Sequence, residues 1–147
     1  MVEDSRQEAR DLLARAVEFH RHLGPFLILG LRMGMISRSM LKAQNHTDLT
    51  AIMLVDPKPP VSCAVDGVQV ASGCTLGKGT IRVSEASDRI VGRFGAEDRV
   101  CTVAVKHHML NEFLRAVEKA TDKAIIDMAE NAMTRSDEQL FEITQGS

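Results

Sequence analysis

Apolar positions first recur at helical spacing in Leu12, Leu13, Ala16, Val17 and Phe19, and counting by fours from Leu12 through Ala16 lands on His20. With Asp4 or Ser5 as cap, the pattern predicts a first helix ending at about His20. Gly24 then supplies a helix-ending position tolerant of positive φ, and Pro25 is pre-shaped for the first turn of the next helix. That second helix runs to about Ala43 through Leu27, Ile28, Leu31, Met35 and Met40. Gly30 and Gly34 lie four apart on one of its faces. Each costs roughly 1 kcal/mol against Ala in a helix, so a close backbone contact is expected on that side.

The period changes after a polar turn at Gln44 to Asp48. Thr50 to Val55 reads as a short, largely buried strand, ended by Asp56-Pro57-Lys58-Pro59-Pro60 because a proline lacks the ladder donor. Ser62 is the expected N-cap of a short helix from Cys63 to about Ser72, which Gly73 ends. Thr80 to Ala86 and Ile90 to Gly95 predict two strands joined by a turn at Ser87-Asp88-Arg89. Arg99 to Lys106 predicts a third, with Cys101, Val103 and Val105 on one face. Helical spacing returns from His107 to about Met133, with a restart at Thr121-Asp122, and Leu140 to Thr144 predicts a last edge strand. Helices at both ends with strands between predict one α+β domain over residues 1–147, an antiparallel sheet covered by N- and C-terminal helices.

Composition narrows the function. Charged residues make up 26% and the formal net charge is -2, which offers no global electrostatic case for nucleic acid or membrane. With five Phe and neither Tyr nor Trp, a base-stacking surface is not expected either. Acidic and basic residues interrupt the N-terminus where a signal peptide needs an apolar core, and the stretch Leu23 to Ile36 is too short to span a bilayer. A cytoplasmic location follows as the expectation, and there the three cysteines stay reduced and available as ligands.

The candidate chemistry sits in two clusters. His20 and His22 lie at the corner between the first two helices, with Arg21 between them. Two imidazoles held at a rigid corner are a candidate metal-ligand pair. Downstream, Cys63 at a helix start is where the dipole stabilises a thiolate. Asp66, three residues on, shares its face and would bind metal or orient a histidine, and Gln69 continues that side. Cys74 and Thr75 follow the helix end in a glycine-rich loop, whose backbone N–H groups and Lys78 would hold an anion. A Walker motif is excluded, because three residues rather than four separate Gly73 from Gly77-Lys78, and Gly79 stands where magnesium needs Ser or Thr. Cys101, within an alternating strand, is expected to be a packed apolar side chain. Two histidines and one cysteine suit a divalent ion such as zinc, with a position left open.

The strings Phe-His-x-His-Leu-Gly-Pro-Phe, Cys-x-x-Asp-Gly-Val-Gln and Gly-Cys-Thr-x-Gly-Lys-Gly, in that order, resemble the formylmethanofuran dehydrogenase E-subunit family. The resemblance implies an α+β core, often dimeric, with a metal site at the positions of His20, His22 and Cys63. It also implies a link to molybdenum- or tungsten-dependent one-carbon oxidation. Arg21 departs from the family's usual Gly between the histidines. No cysteine follows Cys101, so the cysteine-rich zinc ribbon of many members is not expected here. The expectations are therefore a zinc-binding accessory protein or subunit of a molybdenum or tungsten oxidoreductase, homodimeric, with a small anionic ligand at Arg21 or Lys78. The alternatives are an independent metalloenzyme with an open His-His-Cys site, and a metal carrier or sensor.

Overall fold

The structure is a computed structural model and describes residues 2–43 and 49–146. The polar turn expected at Gln44 to Asp48 lies outside the described residues. Helix α1 (Val2–His20) leads through a short corner into α2 (Pro25–Leu41). Strand β1 (Thr50–Val55), helix α3 (Cys63–Ser72) and strands β2 (Ile81–Glu85), β3 (Val91–Ala96) and β4 (Arg99–Val105) follow. The chain ends with α4 (His107–Glu118), α5 (Asp122–Thr134), the single turn α6 (Asp137–Leu140) and β5 (Phe141–Gly146).

The fold is α+β, as the patterning requires, but the strand order β2-β1-β3-β4-β5 departs from it in one place. β2 and β3 do not form the expected hairpin. β2 runs parallel to β1 with Met53 opposite Val83, and β3 pairs antiparallel on the other side of β1. The sheet is mixed, with one parallel pair and three antiparallel ones. The reason lies before β2. Helix α3 stands between β1 and β2, so the pair is a strand–helix–strand crossover, which brings the second strand back in the same direction. Cys101, Val103 and Val105 are buried on one face of β4 as expected, with Met53, Val55 and Phe94 beside them, whereas β2 is exposed after Ile81.

Helix α2 is the core of the molecule, buried continuously from Pro25 to Leu31. Its glycine face is filled by α3. A Cβ on Gly30 would stand 1.8 Å from the Ala64 carbonyl oxygen, and one on Gly67 2.2 Å from that of Leu27. At Gly34 a Cβ would fall 2.7 Å from the Ala71 Cβ. Because Gly30 meets Ala64 and Gly34 meets Ala71, the two helices run parallel. Both N-termini therefore end at the corner that carries the histidines. The Gly30/Gly34 face, which the spacing alone leaves available for self-association, is consumed inside the chain.

Two local assignments change. Gly24 has extended backbone (φ -152°), while the left-handed residue that ends α1 is Arg21, at φ 67°. Ser62 precedes α3 in helical backbone (φ -63°) and makes no side-chain cap. The helix is entered instead through tight turns, with the N–H groups of Cys63 and Ala64 bonded to the Pro60 and Val61 carbonyls at 3.1 and 3.2 Å.

Candidate functional site

The corner after α1 and the first turn of α3 meet. His20, the last residue of α1, is 17% exposed at its side chain, and its Nδ1 lies 2.6 Å from Asp66 Oδ2. A carboxylate oxygen accepts, so Nδ1 carries the proton and donates in this pair. His22 is exposed, with its ring centroid 6.5 Å from that of His20 at 61° between planes. Its Cε1 would lie 3.6 Å from a Cβ on Gly24, an ordinary van der Waals distance, so the ring packs against the corner backbone.

Cys63 sits one helical turn before Asp66, half-buried. A helix dipole alone predicts a lowered thiol pKa here; the structure corrects this. Burial pushes the Cys63 thiol up, the Asp66 carboxylate pushes it further the same way, and the backbone N–H at the helix start pulls down least. Desolvation and a neighbouring negative charge outweigh the helix terminus.

Gln69, expected only to continue that helix side, does more. Its Oε1 accepts from the Leu76 backbone N–H at 3.0 Å, and its Nε2 donates to Asp66 Oδ1 at 3.4 Å. The loop beyond is a closed structure. Cys74 N–H goes to Ser72 Oγ at 3.0 Å, Thr75 N–H to Thr80 Oγ1 at 2.9 Å, Lys78 N–H to Thr75 Oγ1 at 3.2 Å, and Gly79 N–H to the Leu76 carbonyl at 3.0 Å. These donors, expected to cradle an anion, are bonded within the protein. Thr75 holds the turn together. Cys74 is fully buried, and burial raises its thiol although the Ser72 hydrogen bond, Lys78 and Arg38 each pull it down. Lys78 is exposed. Arg21, 79% exposed, reaches Glu18 at 3.6 Å. Cys101 is buried on its strand, as expected, with its thiol against the Met40 sulfur at 3.6 Å.

The fold thus brings His20, His22 and Asp66 to one corner and sets Cys63 on the adjoining turn. Two imidazoles on one tetrahedral zinc, with Zn–N of about 2.0–2.1 Å, have ring centres roughly 5 Å apart, so the 6.5 Å between these rings is wider than a shared ion requires. The donor types suit a borderline divalent ion. Yet among the described residues no group of three His, Cys, Asp or Glu side chains is arranged to hold a metal ion. Arg38, whose Nη1 donates to the Ser72 carbonyl at 2.9 Å, escaped sequence reasoning. The only signal was its place one turn beyond Gly34.

The molecule is thus an α+β domain that holds an imidazole–carboxylate pair between two converging helix ends. The chain belongs to the FmdE family: the family model described as "FmdE, Molybdenum formylmethanofuran dehydrogenase operon" matches residues 19–142. A protein of Archaeoglobus fulgidus named "Probable S-adenosyl-L-methionine-binding protein" is 41% identical over 76 residues. The match covers 48% of this chain and 19% of that protein, so the chain spans about a fifth of its relative's length. No helix among the described residues is long and apolar enough to cross a membrane.

Proposed function

We propose that this protein is a metal-binding accessory protein or subunit in molybdenum- or tungsten-dependent one-carbon oxidoreductase metabolism. His20, His22 and Cys63 would take one divalent ion, zinc by the hardness of the donor set. The observation that carries the reading is the 2.6 Å pair between His20 Nδ1 and Asp66 Oδ2. A carboxylate on one imidazole nitrogen fixes the ring and raises the basicity of the other, which is the usual support of a metal-bound histidine. Zinc held there would supply a Lewis acid with a position open to a ligand. Asp66 holds the His20 ring, and the Cys63 thiol, kept protonated by burial and by Asp66, would give up its proton on binding. Family membership supports the one-carbon context, and the reading includes a homodimer.

Metal analysis of the purified protein tests it. About one zinc per chain is expected, lost in the His20→Ala, His22→Ala double variant and kept in Cys101→Ala. Full occupancy in the double variant removes the site. Light scattering reads the dimer, and a monomer at micromolar concentration removes that part. Turnover of small acyl or phosphoryl substrates would instead favour the independent metalloenzyme. The name of the Archaeoglobus relative adds S-adenosylmethionine as a ligand to titrate in the same preparation.

A further inference from the structure

A chain of side chains leads away from His20, and its last link lies outside the metal-ligand set. Asp66 uses both carboxylate oxygens, Oδ2 on His20 Nδ1 at 2.6 Å and Oδ1 on Gln69 Nε2 at 3.4 Å. The orientation of the Gln69 amide follows from its other end. The Leu76 backbone N–H can only donate, so the oxygen of Gln69 faces Leu76 and its NH2 faces Asp66. Gln69 is also pinned through its backbone, since the Gly73 N–H closes α3 on the Gln69 carbonyl at 3.0 Å. The loop is internally bonded from Cys74 to Thr80, so the Leu76 N–H is held by the turn around it. Leu76 itself is 79% exposed at the tip.

We propose that Gln69 is a positioning residue that fixes the plane of the Asp66 carboxylate, holds His20 in the Nδ1–H tautomer, and couples that imidazole to the loop Gly73 to Gly79. Without Gln69, Asp66 keeps one hydrogen-bond partner among the described residues, rotates about its own χ2, and no longer selects one nitrogen of the ring. The loop then serves the corner as a mechanical anchor, through one backbone N–H, rather than as an anion cradle. Contact at the exposed Leu76 tip is felt at His20 along three hydrogen bonds. The functional weight of this relay rests on the metal reading above; its geometry does not.

The test is nitrogen-15 spectroscopy of the histidine rings in metal-free protein at pH 8, where neutral tautomers are distinguished. In the unsubstituted protein His20 shows protonated Nδ1 and bare Nε2. Gln69→Ala is expected to move both His20 nitrogens to a tautomer mixture while those of exposed His22 stay in place, a selectivity that general loosening would not produce. Gln69→Glu, which still accepts from Leu76 but offers Asp66 no donor, is expected to shift His20 likewise and leave the Leu76 amide where it was. Unchanged His20 nitrogens in both variants overturn the proposal. Should neither variant fold, hydrogen exchange in the unsubstituted protein decides. The Leu76 amide is expected to exchange about tenfold or more slowly than an unbonded amide, the effect of one hydrogen bond, and free exchange there overturns the proposal as well. Zinc content separates the two readings. A tautomer response without zinc uptake keeps the relay and removes the metal, and zinc uptake with an unresponsive tautomer does the reverse.

Discussion

Arg21 ends α1 with φ 67°, a conformation that places an L-residue's Cβ close to the following carbonyl. Gly has no Cβ and therefore no such clash. The Arg21–Glu18 pair contributes little in return, since both side chains are about four-fifths exposed. Arg21→Gly is therefore expected to stabilise the protein by about 0.5–1 kcal/mol, the left-handed strain less the added freedom of the unfolded chain. Calorimetry would show it as a small rise in melting temperature. The three thiols form a second set at this scale, because burial pushes Cys63, Cys74 and Cys101 all upward. A raised folded-state pKa means that the folded protein holds the proton longer than the unfolded chain. The stability so contributed is complete below the unfolded thiol value of about 8.5 and falls as pH rises through it. Urea midpoints at pH 7.5 and 9.5 should fall in that direction, and Cys101→Ala should narrow the difference.

Among the elements, α2 and α3 behave as one body. Gly30, Gly34 and Gly67 let the two backbones touch, and each position is closed to a methyl group. At Gly30 the obstructing atom is the Ala64 carbonyl oxygen, part of a helical backbone that cannot turn aside. Gly30→Ala is expected to cost about 3 kcal/mol, the upper end for overpacking. For a chain of this size that lowers the melting temperature by about 10 °C. The glycine spacing was legible as a demand for close contact. Its partner was not, because nothing in the spacing distinguishes a helix of the same chain from one of a second copy. The direction of β2 is a similar case. Its sequence reads as a strand, but whether it pairs with β1 or β3 depends on where α3 packs.

Across the molecule, Arg32 joins the two ends of the chain. Nη1 donates to the carbonyls of Ala132, Met133 and Arg135 at 2.9, 3.3 and 2.6 Å, and Nη2 meets Asp137 at 2.7 Å. These carbonyls end α5 and have no helical partner of their own. The guanidinium, 11% exposed, therefore caps that helix from within the core helix of the N-terminal half. The contact holds α6 and β5 against the rest, with Ser136 and Gln139 closing a capping box beside it. Arg32→Leu is expected to cost about 2–3 kcal/mol, since it leaves partly buried carbonyls unpaired and removes a charge-assisted bond. Hydrogen exchange should show the loss first at the C-terminal end of α5 and in β5.

Most element types and approximate spans were legible along the chain, because they depend on periods of 3.6 and 2, on proline and on a cap such as Thr121, all local properties, whereas α6 with its Ser136 cap was not read and the ends placed at Gly24 and Ser62 shifted. Local spacing also singled out His20, Asp66 and Cys63, since side chains three or four apart on a helix share a face whatever surrounds them. Packing settled the rest. Asp66 reaches His20 across 46 positions because α2 and α3 run parallel with their glycines in contact. The Cys63 thiol is raised rather than lowered, because burial is a property of the packed molecule and outweighs a helix terminus that is visible in the sequence. The glycine loop closes on itself, since its N–H groups find Ser72, Gln69 and Thr80, acceptors that come within reach only when the chain folds back.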